Sequence, residues 1–237
     1  MDHLLEMRRI PMDGVYNFRS LGGYAAGQDK NDVTKHGVLY RSARLHGLSE
    51  ADQEKFHALK IKTVIDLRSD WETKPHPDDF LEGTDVSYYN VDVMPQLDPE
   101  KIEHMAAKAD GTAMTNFYKA LLDTRGEKLA EVFHHIAKGV ENGAVLFHCS
   151  VGRDRTGVVA ALLLLLANVD PKDVEADYQV SETYLVGMVE DPLYTPFSNM
   201  VNVIAHINEK YGSASLYLEQ AGVSKEEIAT IQKAMVE

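Results

Sequence analysis

The stretch from Thr156 to Asn168 is apolar on every face of a helix. A helix without a polar side has no surface to give to water, so it must be enclosed by other elements. It is preceded by Ala144 to Phe147 (AVLF), a run too short and too apolar to be anything but a buried strand. A buried strand leading into a buried helix calls for a layered core, with the helix lying against a sheet.

The rest of the chain supplies such a sheet. Further β-rich runs lie at Val38 to Tyr40, Lys62 to Leu67 and Val86 to Val91. Between the first two lies Ser49 to Leu59, where Ser49 is suited to cap a helix and Phe56 and Leu59 share a face. Strand, helix, strand is the signature of a parallel α/β sheet. A long helical region is expected after Asp110-Gly111, with Phe117, Leu121 and Leu122 forming one stripe and Leu129, Val132, Phe133 and Ile136 another. The C-terminal third reads as helical, with Asp170-Pro171 as an N-terminal signal and Ser224 with Glu227 as a capping box. Ser69 to Thr84 and Asp92 to Asp110 read as irregular. With 237 residues and no linker or repeat, a single domain over residues 1–237 is expected.

Charge narrows the partners. Against 24 Lys and Arg stand 37 Asp and Glu, a formal net charge of -13 that repels nucleic acid and anionic bilayers as a whole. An anionic small substrate then needs a local cluster of donors. The longest uncharged apolar stretch, Gly157 to Val169, is shorter than the roughly 20 residues of a spanning helix. The opening MDHLLEMRRIPMDG has no apolar core of a signal peptide, so a cytoplasmic protein is expected.

Cys149 is the single cysteine, which excludes an internal disulfide and Cys-based zinc sites. Alone, it is either a small buried hydrophobe or a nucleophile. Its context decides. His148-Cys149-Ser150-Val151-Gly152-Arg153-Asp154-Arg155-Thr156-Gly157 links the buried strand to the buried helix, at the strand end where open α/β sheets bind ligands. The five residues between Cys149 and Arg155, Ser150, Val151, Gly152, Arg153 and Asp154, can form a phosphate-binding loop whose backbone N–H groups converge, and the following helix N-terminus adds partial positive charge. That is a cradle for a tetrahedral dianion. A sulfur beside a helix N-terminus and a guanidinium is favoured as the anion, which is the nucleophile. Arg155 can hold two phosphoryl oxygens with its planar fork. Gly152 allows a conformation that a side chain would obstruct, Gly157 allows close helix packing, and Thr156 can donate its hydroxyl to the departing sulfur. An apolar filler gives no reason for Arg153 and Arg155 in this turn.

HCSVGRDRTG resembles the Cys-x5-Arg signature of protein tyrosine phosphatases, in particular the bacterial and fungal group related to dual-specificity and phosphoinositide phosphatases. Similar segments run almost end to end: NFRSLGGY from Asn17, LYRS from Leu39, TVIDLRS from Thr63, DVEADY from Asp173 and YGSASLYL from Tyr211. The resemblance implies a central, mostly parallel sheet of four to five strands with helices on both faces. It implies phosphomonoester hydrolysis, tyrosine-directed and open to dual specificity, through a cysteinyl-phosphate on Cys149, with Arg155 on the phosphoryl oxygens and no metal or other cofactor. The substrate is then a phosphotyrosine protein or a small phosphomonoester.

A carboxylic acid must protonate the leaving oxygen. The Trp-Pro-Asp tripeptide of tyrosine phosphatases is absent, since Trp71 precedes Glu72. Asp92 is the first candidate, because related enzymes place a mobile acid at the mouth of such a loop. Asp154, inside the cradle, is second and Asp98 third. Asp66 and Arg68, with Arg19 and Arg41, are expected to be buried ion pairs that position the cradle, and His148 to be a hydrogen-bonding support. His134-His135 reads as a solvated helix pair. Two residues depart from the group: Ser20 replaces the usual Asp, and Arg153 replaces a Lys associated with phosphoinositide activity. The second departure and the acidic surface weigh against lipid substrates. The alternatives are a phosphoinositide phosphatase of the same mechanism, a rhodanese-like sulfurtransferase, and a non-catalytic phosphate-binding module.

Overall fold

A computed structural model describes residues 8–95, 113–188 and 198–237. Its main sheet has five strands: β1 (Arg19–Ser20), β4 (Leu39–Ser42), β5 (Ile61–Asp66), β6 (Ser87–Asn90) and β7 (Ala144–His148), in the order β1-β4-β7-β5-β6. β1 is antiparallel to β4, and every other pairing is parallel. A separate antiparallel pair, β2 (Ala25–Ala26) with β3 (Asp32–Val33), was not foreseen from two-residue signals. Parallel strands align their C-terminal ends, so His148, Asp66, Asn90 and Ser42 reach the same edge of the sheet.

Alternation along the central strand divides the core into two layers. Val145 and Phe147 face one cluster, with Ile65, Leu67 and most of the helices, while Ala144 and Leu146 face another, with Phe18, Tyr40 and Phe56. In β5 the parity slips. A bulge between Ile61 and Thr63 turns Ile61 to the same face as Val64, which unbroken alternation would forbid.

The helices follow in chain order: α1 (Glu50–Ala58), α2 (Asp70–Thr73), α3 (Ala113–Thr124), α4 (Gly126–Gly139), α5 (Asp154–Leu166), α6 (Pro171–Gln179), α7 (Ser181–Tyr184), α8 (Ser198–Tyr211), α9 (Ala214–Ala221) and α10 (Lys225–Met235). α5 is the apolar helix of the sequence, and every residue from Arg155 to Leu164 is buried. It lies against β4 and β7 on one side and α3, α6 and α9 on the other. The caps form as the side chains dictate: Ser49 accepts from Asp52 N, Asp170 from Lys172 N, and Ser224 with Glu227 closes a capping box.

Three expectations need correction. The long helical region breaks at Arg125 into α3 and α4. Residues 69–84 are not irregular throughout, since they hold α2 and a 3-10 turn at Asp79–Leu81. His135 is not simply solvated, because its ring stacks on Tyr89 at 3.7 Å, and His134 pairs with Glu227 at 2.7 Å. Among the described residues, no helix is long and apolar enough to cross a membrane.

Candidate active site

Residues 149–153 join β7 to α5 at the C-terminal edge of the central strand. Gly152 sets the shape of this loop. Its φ is +67°, and a Cβ there would lie 2.1 Å from the carbonyl oxygen of Ser42, so no side chain fits.

The loop carbonyls are then tied one after another. Cys149 O faces His148 Nδ1 at 3.3 Å, Ser150 O accepts from Arg44 N at 3.2 Å, and Val151 O accepts from Asn17 Nδ2 at 3.1 Å. Gly152 O accepts from Asn17 Nδ2 at 3.0 Å and from Arg41 Nη2 at 2.7 Å. In a planar trans peptide, N–H points opposite to C=O. Holding four successive carbonyls outward therefore turns the N–H groups of residues 150–153 to the other side, as an oxyanion cradle requires.

The two guanidiniums behind the loop are themselves anchored. Asp177, on α6, accepts from Arg19 Nε at 2.9 Å, Arg41 Nη1 at 2.5 Å and the Tyr24 hydroxyl at 3.0 Å. Arg19 also donates to Asn17 O at 3.1 Å, holding the residue that holds the loop. Burial alone would raise the Asp177 carboxyl, but Arg19 and Arg41 outweigh it and hold it far below the usual carboxylate range. Arg41 is pulled the other way, to about 10, by burial and by the like charge of Arg19. Arg19 and Arg41 are thus buried ion pairs, with Asp177 as their shared anion.

Arg155, in the first turn of α5, is fixed by Glu72 of α2. Its Nη1 and Nη2 each donate to a Glu72 carboxylate oxygen at 2.6 Å. Glu72 also accepts from Ser150 Oγ at 2.5 Å and from Ser69 N at 3.0 Å. Burial pushes the Glu72 carboxyl up, and these donors, Arg155 foremost, carry it below its ordinary value. Burial would likewise pull Arg155 down, but Glu72, with Cys149 and Asp154 nearby, holds it above its ordinary range. With the end of the fork on Glu72, the Nε edge is the one that can meet phosphoryl oxygens.

A second buried cluster lies where β5 and β7 end. Arg68 donates to Asp66 at 2.7 Å and to Asp78 at 3.0 Å, and His148 Nε2 lies 2.9 Å from Asp78 Oδ2. Burial would lower the His148 pKa, yet Asp66 and Asp78 together raise it above the ordinary value. Asp66 and Arg68 thus form a buried ion pair, and Asp78 links it to His148.

The acid candidates separate. Asp154 opens α5 inside the cradle, where its Oδ1 accepts from the Tyr118 hydroxyl at 2.6 Å and from Arg153 Nε at 3.2 Å. Asp92 follows β6, two strand spacings or about 10 Å from β7, and its Oδ1 accepts from Met94 N at 2.8 Å, in a turn on its own backbone. Asp98 lies outside the described residues. Thr156 is buried with no hydrogen-bond partner for its hydroxyl among the described residues, so no bond to Cys149 is formed in this state. Gly157 approaches α6 as well as the sheet: a Cβ there would lie 3.1 Å from the Tyr178 ring and 3.6 Å from Arg41.

Four residues of this machinery went unassigned in the sequence: Asn17, Glu72, Asp78 and Asp177. Asn17 and Asp177 fall within the NFRSLGGY and DVEADY segments, and the Ser69-x-x-Glu72 spacing of a capping box marked the start of α2.

The chain is 31% identical over 219 residues to a tyrosine-protein phosphatase of Nostoc commune, covering 82% of this chain and 73% of that protein. It is 25% identical over 274 residues to the triple specificity protein phosphatase PtpB of Mycobacterium tuberculosis, covering 93% and 96%. The crystal structure of P. aeruginosa TpbA matches with a TM-score of 0.43 and 17% identity, over 84% of this chain and 96% of that one. The model of the tyrosine phosphatase family matches residues 10–237, and with it the chain that builds its loop around Cys149 and Arg155 belongs to that family.

Proposed function

We propose that this tyrosine phosphatase hydrolyses phosphotyrosine in two displacements at Cys149. In the first, the sulfur anion of Cys149 attacks phosphorus, the bond from phosphorus to the phenolic oxygen breaks, and that oxygen takes a proton from a carboxylic acid. In the second, the same carboxylate takes a proton from water, the oxygen attacks phosphorus, and the sulfur leaves as its anion with release of inorganic phosphate. The N–H groups of residues 150–153 and the Nε edge of Arg155 hold the phosphoryl oxygens throughout, where charge develops.

The observation that carries this reading is the outward tethering of four loop carbonyls beside a sulfur and a guanidinium. Asp154 is the acid we favour over Asp92. It stands beside Arg155 in the first turn of α5, inside the cradle, whereas Asp92 lies beyond β6, two strand spacings from β7. Arg153, ion-paired with Asp154 and almost fully buried, takes part in shaping that acid's surroundings.

Turnover of a substrate panel tests the reading. Phosphotyrosine peptides should be hydrolysed faster than phosphoserine peptides and soluble phosphoinositides. Predominant phosphoinositide turnover would favour the lipid alternative, sulfur transfer from thiosulfate the rhodanese-like one, and binding without turnover the non-catalytic one. In the pH profiles, Asp154→Asn should lose the limb on the descending side and Asp92→Asn should keep it. The reverse pattern would move the acid to Asp92.

A further inference from the structure

Tyr118 of α3 and Tyr178 of α6 are 0% and 2% exposed, at positions where a phenylalanine would fill nearly the same space without a polar atom to satisfy. Their rings cross edge to face at 6.0 Å. The Tyr178 ring also takes the space that the missing side chain of Gly157 leaves against α5. The two hydroxyl oxygens lie 2.7 Å apart, and the Tyr118 hydroxyl reaches on to Asp154 Oδ1 at 2.6 Å. Two buried hydroxyls from two helices thus converge on one carboxylate of a third.

A phenol has one hydrogen to give, and a carboxylate can only accept. Tyr118 therefore spends its hydrogen on Asp154, and Tyr178 donates to Tyr118. Burial, with the Asp154 charge next, holds the Tyr118 hydroxyl well above its ordinary pKa and pushes Tyr178 up to about 12, so both keep the hydrogens these bonds need. Arg153 Nε meets the same Asp154 oxygen at 3.2 Å, and among the described residues no hydrogen bond reaches Oδ2. The Asp154 side chain is 16% exposed, so it is not sealed from water. We propose that Tyr118, braced by Tyr178, is the positioning residue of the general acid. Its hydroxyl occupies Oδ1 whether the carboxyl is ionised or protonated. The proton is then confined to Oδ2, from which it passes to the departing phenolic oxygen and to which it returns from water in the second displacement. This role rests on the reading above in which Asp154 is the acid, and it adds what aims that acid.

The need for an acid grows with the basicity of the departing oxygen, which gives the test. On the full chain, kcat/KM is measured for phenyl phosphate, whose phenol resembles that of tyrosine, and for dinitrophenyl phosphate, whose oxygen leaves as its anion without a proton. Asp154→Asn should lose about 100-fold on phenyl phosphate and little on the dinitrophenyl ester. Tyr118→Phe should repeat that split at about tenfold, with inorganic phosphate affinity by calorimetry unchanged. Tyr178→Phe should repeat it at about threefold, and carries the test alone if Tyr118→Phe does not fold. An equal loss on both esters in Tyr118→Phe, a matching fall in phosphate affinity, or no loss at all, beside a split in Asp154→Asn, overturns the positioning role and leaves the acid in place. A flat response in Asp154→Asn removes the acid reading and the positioning role with it, while turnover through Cys149 stands.

Discussion

Replacing Asp177 with Asn removes the shared anion of Arg19 and Arg41, whose side chains are about 1% and 0% exposed. The amide keeps the shape and one acceptor, so the hydrogen bond from Tyr24 can persist, but neither guanidinium retains a charged partner. Removing one member of a buried pair costs about 3–5 kcal/mol, because the remaining charge stays desolvated. For a domain of this size each kcal/mol lowers Tm by about 2–4 °C, so a fall of roughly 6–20 °C is expected. Thermal unfolding followed by circular dichroism at neutral pH, with reversibility checked, measures it. Activity should fall as well, since Arg41 would no longer be fixed on Gly152 O and the loop would lose its aim. Removing the second charge should recover part of the loss, so Asp177→Asn with Arg19→Met should be more stable than additivity allows. A Tm for Asp177→Asn within about 2 °C of the unaltered protein would refute the reasoning, because a drop that small corresponds to no more than about 1 kcal/mol.

Three further outcomes can be checked. Gly152→Ala forces a Cβ against Ser42 O at a positive φ, so inorganic phosphate affinity, read by calorimetry, should fall sharply together with a stability loss of about 1–3 kcal/mol. Glu72→Gln leaves Arg155 without its charged partner and free to swing, and kcat/KM should drop about 100-fold with kcat carrying most of it. His148 has a folded-state pKa above its unfolded value of about 6.5. The stability it contributes is therefore complete below that value and is lost as pH rises through the folded value, so the Tm gap between the unaltered protein and His148→Gln should narrow from acidic to alkaline buffer.

How far the sequence disclosed this architecture depends on the range of each signal. The strands flanking the site and α5 were legible because their apolar patterns are local and continuous, and Cys149, Gly152 and Arg155 because their chemistry lies within one loop. Asp177 was not legible as an anchor: its partners Arg19 and Arg41 are more than a hundred residues away, and nothing in the spacing joins them. Glu72 was concealed differently. Its neighbour Trp71 drew attention to a missing tripeptide, while the carboxylate's reach to Arg155 depends on α2, a helix of one turn without a usable periodicity. The bulge in β5 could not be read either, because Ile61 and Thr63 alternate normally in sequence and only the pairing with β7 exposes the slip.

The central claim is that the sulfur of Cys149 becomes bonded to phosphorus during turnover. Rapid acid quenching of the enzyme with a phosphotyrosine peptide, followed by proteolysis and mass spectrometry, examines that bond directly. The account predicts one phosphoryl group on the peptide containing Cys149, formed within the first turnover and absent from Cys149→Ser. Steady hydrolysis with no phosphorylated Cys149 at any quench time, or full activity in Cys149→Ser, would contradict it.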